Sequence, residues 1–495
     1  MDWMTLAIGL ALIIVIYLWF TQRDAGLPPY PVRPLPLLGH ALALHADPRP
    51  QFKQWHREVG DIYSLKVFGN LMVMINGYDL LREILAKRGN EFSLRPPFFF
   101  DEATGMPGKG VILASGANWK EQRTVTLYLL RAFGMGKNVL GEKIREELVH
   151  FMERLTLLKE EPTDLRLSTS MIIANIICSF LNGQRYEYDD VVFHELMEKL
   201  RVILGGQKTS ELINVFPCLR QLPGDLFNAK KLEKNAKEIM DLFVNKFVHE
   251  SLQRSIGGGS DDSFIRAYIA ERDRKVAAGE HTLMDEENLA KIILDIFLAG
   301  TETTGTSILW AVLYAANYQD IQDKIFQEIE NEIGTERSPT LQDKPKLVYL
   351  NAFIFETLRL ASIAAQSIPR MASEETTIRG YRIPKGAVIL QSLDSVLHDE
   401  KVWGQDVMTF KPERFLDQNG KLKSCDEFIP FGLGTRVCLG EGMAKAIEFL
   451  LLATMLQRFK IVPPENVTKI PEDYVFALDV GPVPFKVRLM ERRKL

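Results

Sequence analysis

FGLGTRVCLG, Phe431 to Gly440, is the stretch on which the reading of this chain turns. Cys438 stands in a loop hemmed by glycines, with Phe431 and Arg436 before it and a helix-like run, GEGMAKAIEFLL, directly behind it. A thiolate that ligates a metal must be deprotonated, held rigidly and partly shielded from water. Gly434 and Gly440 lack Cβ atoms, so the chain can turn tightly and bring backbone N–H groups towards the sulfur, where hydrogen bonds tune a metal. Arg436 is a permanent cation suited to a cofactor carboxylate. Phe431 can cover the sulfur side of a cofactor ring, and the dipole of the following helix favours a negative sulfur.

The rest of the composition is ordinary. With 46% hydrophobic and 25% charged residues the chain reads as globular, and a net charge of -4 gives no general attraction to nucleic acid. The cysteines are widely spaced and contain no CxxC pair, so neither a disulfide framework nor a structural zinc site is indicated. Cys178, Cys218 and Cys425 read as small buried hydrophobes.

The pattern Phe-x-x-Gly-x-Arg-x-Cys-x-Gly resembles, without a mismatch, the signature of the cytochrome P450 haem-thiolate proteins. The resemblance implies that Cys438 is the axial ligand of the iron in haem b (iron protoporphyrin IX). Phe431, Gly432, Arg436 and Gly440 would lie against that cofactor. Other stretches match the same family in order. AGTETT, Ala299 to Thr304, matches its oxygen-activating motif, in which Thr303 and Glu302 serve proton delivery and Ala299 and Gly300 face the cofactor. From the residues alone, Gly300 would leave room for a diatomic ligand, and Thr303 can bond the carbonyl of Ala299 and loosen the helix. Trp119 and Arg123 in ANWKEQR, four apart on a helix, match a pair used on a haem propionate, and Arg370 in SIPRMA matches another propionate position. Arg95 in FSLRPP is a further propionate position, with a surface arginine as its equal alternative. Glu356 and Arg359 in IFETLRL, with Arg414 in FKPERFL, match a buried structural charge cluster, although an i,i+3 pair by itself reads as a solvated surface ion pair.

The fold so implied is mainly α with small sheets: a single large cytochrome P450 fold, residues 41–495, behind an N-terminal anchor. Periodicity agrees, with helices expected over Gly141–Leu157, Leu165–Leu181, Lys230–Gln253, Glu286–Asn317, Ile321–Ile333 and Leu347–Leu360, a hairpin over Ile62–Gly77, and β patterns in Glu375–Leu390 and near the C-terminus. Met4 to Phe20 is uncharged and as a helix spans about 26 Å, close to the roughly 27 Å hydrocarbon layer of the endoplasmic reticulum. Residues 1–22 therefore read as a single-pass signal-anchor. Asp2 in place of a positive n-region argues against a cleaved signal peptide, and Arg23 and Arg33 place the body in the cytoplasm. Residues 23–40 read as a proline-rich linker.

WKEQR, LRAFGMGK, NIICSFLNGQRYEYDD and GYRIPKG resemble the animal microsomal branch that oxidises xenobiotics, fatty acids and steroids. That resemblance implies a monooxygenase inserting one oxygen atom of O2 into a lipophilic substrate, with electrons from NADPH through cytochrome P450 reductase and cytochrome b5 as a further partner. Lys120, Arg131, Lys137, Lys411, Lys423 and Lys445 would form a basic docking face. The pocket would draw on Phe98–Val111, Leu294–Thr304, Ile363–Ile368 and Val475–Leu478, with Leu212–Gly224 touching membrane lipid. A haem-thiolate isomerase or dehydratase and a non-catalytic haem sensor or carrier are the rival readings. The intact oxygen-activating motif argues against the isomerase.

Overall fold

The computed structural model describes Trp3 and residues 26–492 apart from 133–137, 206–212, 215–216, 226, 252 and 254–262. The expected anchor helix, Lys137 and parts of the Leu212–Gly224 stretch lie outside the described residues. The chain divides into two compact units, the first formed by Met1–Pro96, Ala365–Val396 and Gly432–Arg436 and the second by the remainder.

The first unit is built on a four-stranded mixed sheet. β1 (Ile62–Val67) and β2 (Asn70–Ile75) are antiparallel; β3 (Arg370–Met371) and β4 (Val388–Gln391) complete the order β1-β2-β4-β3, with β2 and β4 parallel. The expected hairpin is therefore present. Its turn places Phe68 at φ 48 and Gly69 at φ 85, the two positive angles whose twist matches the flanking strands. Trp55, Tyr63, Leu65 and Met74 bury one face beneath the helix Arg49–Val59. The proline segment docks against this sheet: Gly39 bridges to Val67, and His40 holds Val32 O at 2.9 Å while accepting from Lys66 N at 2.8 Å.

The second unit is helical. Its axis is Glu286–Asn317, begun by Asp285, whose carboxylate accepts from Asn288 N at 2.7 Å, with Glu286 and Glu287 in the first turn complementing the helix dipole. The helix is long and apolar enough to cross a membrane, yet it is apolar on nearly every face because other helices surround it. Arg166–Leu181, Val348–Ala361 and Glu441–Arg458 pack against it within one continuous core. Boundaries fall within a few residues of those expected from periodicity, with one difference: Lys230–Gln253 runs as α-helix over Ala229–Leu242 and widens to π-helix over Phe243–His249.

Two charges interrupt the apolar face of the central helix. Lys291, fully buried, reaches Asp101 Oδ1 at 2.9 Å and Thr104 Oγ1 at 3.1 Å. One turn on, Asp295 Oδ2 accepts from Val111 N at 2.8 Å and Ile112 N at 2.9 Å, so the loop before Gly116 is tied to the helix by its backbone. Burial pushes the Asp295 carboxyl up to about 6, with Lys291 and the two amides drawing it back. A carboxyl raised in the folded state favours folding only while protonated, so wild type loses stability as pH rises from the unfolded value of about 4 to about 6. Asp295→Asn keeps an acceptor oxygen without the charge. Its unfolding free energy relative to wild type should rise by up to about 1.4 kcal/mol per pH unit across that window and by nothing above it, as denaturant titrations at several pH values would read.

Candidate active site

Cys438 sits where a tight loop becomes a helix. Its amide donates to Phe431 O at 3.0 Å, which closes the loop, and Glu441–Arg458 starts three residues later. The N–H groups of Gly440 and Glu441 hydrogen-bond the sulfur and favour its thiolate. The residue keeps an accessible face, yet packing around the sulfur desolvates it enough to push the thiol up overall. Arg123, on the helix Gly116–Ala132, donates to Val437 O at 2.7 Å, and its positive charge beside Cys438 also favours the thiolate. Trp119, one turn earlier on that helix, is buried.

The remaining arginines lie in the first unit, together with the loop residues Gly432–Arg436. A Cβ on Gly434, at φ +72, would lie 1.7 Å from Leu85 O, so no other residue allows this approach. Arg370, buried in β3, donates to Leu433 O at 3.0 Å. Arg436 donates to Ser93 O at 2.7 Å, and Arg95 to Ile368 O at 2.6 Å and Pro369 O at 2.8 Å. Carbonyl partners of this kind fix the plane of a guanidinium.

Glu356, Arg359 and Arg414 form a buried cluster, contrary to the surface reading of the i,i+3 pair taken alone. Arg359 grips Glu356 through bonds of 2.7 and 2.9 Å, and its remaining donors reach Leu397 O at 2.9 Å and Val407 O at 2.7 Å. Arg414 Nε meets Glu356 at 3.2 Å, and its other nitrogens bond Trp403 O, Asp406 and Thr409 O. Glu356 also accepts from Lys411 N at 3.0 Å. The planar fork of Arg359 is what allows one side chain to satisfy a carboxylate and two carbonyls together.

In the middle of the buried central helix one strip stays accessible. Ala299 and Thr303 are exposed, and Ile296, Gly300 and Glu302 are half-buried, whereas most neighbours are buried. Positions 296, 299, 300 and 303 share one helix face, so that face borders open space. Thr303 Oγ1 donates to Ala299 O at 2.7 Å as the sequence allows, but the helix continues without a break through it. A Cβ on Gly300 would stand 2.7 Å from Ile177 Cδ1, so a larger residue there would have to move the end of that side chain. Phe99 packs in a small cluster with Ile213, Ala229 and Ala236.

The match to known proteins covers almost all of this chain. The family model described as Cytochrome P450 matches residues 28–489. Cytochrome P450 2J1 of Oryctolagus cuniculus is 34% identical over 99% of this chain and 96% of its own length. Cytochrome P450 2J2 of Homo sapiens is 35% identical over 93% and 91%, and cytochrome P450 2U1 of Mus musculus 34% over 98% and 95%. The chain belongs to the cytochrome P450 family, and its relatives are members of the animal microsomal branch. It is a haem b monooxygenase, and so an oxidoreductase.

The residues present fit that cofactor. Burial holds the Cys438 thiol up, but the Gly440 and Glu441 amides and the nearby Arg123 charge favour the thiolate, the soft donor that haem iron would take. Buried Arg370, carbonyl-oriented Arg436 and Arg123 beside the sulfur are cations of the kind propionates need. Sequence reasoning missed the ties of Lys291, Asp295 and Asp479; two charges four apart inside AKIILDIF were the visible signal for the first two. Arg359→Lys keeps the charge of the cluster but loses the fork. The expected outcome is a loss of about 1–3 kcal/mol for a backbone carbonyl left unanswered, with less haem-loaded protein in expression; wild-type yield and melting would contradict the structural role.

Proposed function

We propose that this protein hydroxylates or epoxidises a lipophilic organic substrate, using electrons from NADPH passed by NADPH–cytochrome P450 reductase. The observation that carries this reading is the accessible strip Ile296, Ala299, Gly300 and Thr303, a mostly apolar face with one hydroxyl, set in a buried helix. Cys438 would ligate the iron. Trp119 and Arg123 would take propionate oxygens, and the family resemblance adds Arg95, Arg370 and Arg436 to that duty. When bound, haem supplies the redox chemistry that activates O2 and transfers one of its atoms to a C–H or C=C bond. The chain's own residues orient, exclude water and move protons. Thr303, whose hydroxyl bonds Ala299 O, would pass a proton onward in the reaction, and half-buried Glu302 would replenish it through water. Ile296 and Ala299 offer apolar contact to substrate, joined by the loop Phe98–Val111, Ile363 and the hairpin tip Val475–Leu478.

Residues 41–495 would act as one catalytic domain on the cytoplasmic side of the endoplasmic reticulum membrane, held by the anchor 1–22 through the segment 23–40. Exposed Lys120, Arg131, Lys411 and Lys423, with Lys445, which pairs Glu441 at 2.6 Å, supply positive charge for reductase docking, and cytochrome b5 is a second donor.

Reconstitution with reductase in lipid tests the reading. Wild type should consume NADPH and O2 and form oxygenated product from a lipophilic probe. Thr303→Ala should keep consuming NADPH while product per NADPH falls at least about tenfold and hydrogen peroxide rises, the loss expected when a positioned proton donor is removed. Unchanged coupling would remove Thr303 from proton delivery.

A further inference from the structure

Near the C-terminus a short hairpin pairs Tyr474–Phe476 with Val480–Pro482. A two-stranded hairpin of three residues a side is marginal by itself, so outside contacts must set its orientation. Two of them grip the returning strand: Val480 N donates to Ile363 O at 2.9 Å, and Trp310 Nε1 donates to Val480 O at 2.8 Å. The turn is held separately. Ala477 N donates to Asp479 O at 2.9 Å, and Thr306 Oγ1, on the central helix, donates to Asp479 Oδ2 at 2.6 Å.

Thr303, Thr306 and Trp310 recur at i, i+3 and i+7, so all three stand on neighbouring positions of one helix face. Thr303 opens onto the accessible strip, while Thr306 and Trp310 are buried and spend their polar groups on the hairpin. On the other side of the hairpin, Leu478 in the turn is 50% accessible and Val475 in the paired strand 52%. The Asp479 carboxylate thus ties the turn that carries Leu478 to a helix position one turn from the accessible strip. Ordinary loop chemistry would not need a buried threonine for this, because exposed turns satisfy their carboxylates with water or their own backbone.

We infer that Asp479 is a positioning residue for substrate: its hydrogen bond with Thr306 holds the turn that carries Leu478 against the central helix one turn from Thr303, and so determines how firmly long apolar substrates are gripped. This rests on the reading above that the strip bearing Thr303 borders the reaction space. Loss of the bond leaves the strand contacts of Val480 in place but frees the tip. Small ligands that never reach the tip are indifferent to the change.

Two probes separate these effects in the full-length, haem-loaded protein. Imidazole and 1-dodecylimidazole both bind through a ring nitrogen and shift the Soret band, but only the second carries a long apolar chain. Asp479→Ala and Thr306→Val should each weaken 1-dodecylimidazole by about tenfold, equivalent to about 1.4 kcal/mol, and change imidazole by less than about twofold. Asp479→Asn retains an oxygen that accepts from Thr306 and should bind both probes like wild type. If Asp479→Ala fails to load haem, Thr306→Val, which removes only the hydroxyl, decides the question. An equal change for both probes, no change for the long one, or an Asp479→Asn variant as impaired as Asp479→Ala would overturn the inference. Wild type whose Soret band does not respond to imidazole would instead refute the haem assignment itself, and this inference with it.

Discussion

The constraint on which the second unit depends is the burial of a 32-residue helix that is apolar on almost every face. Such a helix cannot rest on a surface; it has to be enclosed. Arg166–Leu181, buried from Met171 onward apart from Ser179, packs along it, with Ile177 beside Gly300. A helix so enclosed can hold a polar group only if that group is paired or faces a space. Lys291, Asp295 and Thr306 take the first course, bonded to Asp101, to the Val111 and Ile112 amides and to Asp479. Thr303 takes the second. Its hydroxyl is held by its own helix and its surface is left accessible.

The same economy governs the buried charges. Glu356 and Arg359 are fully buried, a placement that is costly unless every donor and acceptor is answered. Each is answered here, by Arg414, Lys411 N, Leu397 O and Val407 O, and the Arg359 guanidinium also lies over the Trp403 ring at 5.4 Å. This network contributes specificity of position more than net stability. It pins the end of Val348–Ala361 to segments about forty and fifty residues further along the chain. At the cysteine the balance is left open. Burial alone would keep the thiol protonated, while two amides and Arg123 oppose it, an arrangement that a bound metal cation tips to thiolate.

Much of this was legible in advance. The central helix, its neighbours and the first hairpin follow from apolar spacing, because period 3.6 and period 2 are set by the backbone itself. The cysteine loop was legible for another reason: glycines at fixed offsets have few causes, and at Gly434 the cause is contact with Leu85 O. What spacing could not show is which element a residue faces. Gly300 has Ile177, more than a hundred residues earlier, as its neighbour, and nothing in the motif names it. Glu356 and Arg359 read as a solvated pair from spacing alone; the family resemblance gave their burial, and Leu397, Val407 and Trp403 are what close over them. Asp479 carried no local signal at all; its partner Thr306 is 173 residues away.

The central claim is that Cys438 gives its sulfur to haem iron. It is tested most directly by the difference spectrum of the reduced protein on binding carbon monoxide, recorded for wild type and for Cys438→His. A red-shifted Soret band in wild type, the mark of a thiolate ligand, that disappears in the histidine variant is the expected result. Folded, haem-loaded wild type without that band would contradict it, and the roles proposed for Thr303 and Glu302 would lose their foundation.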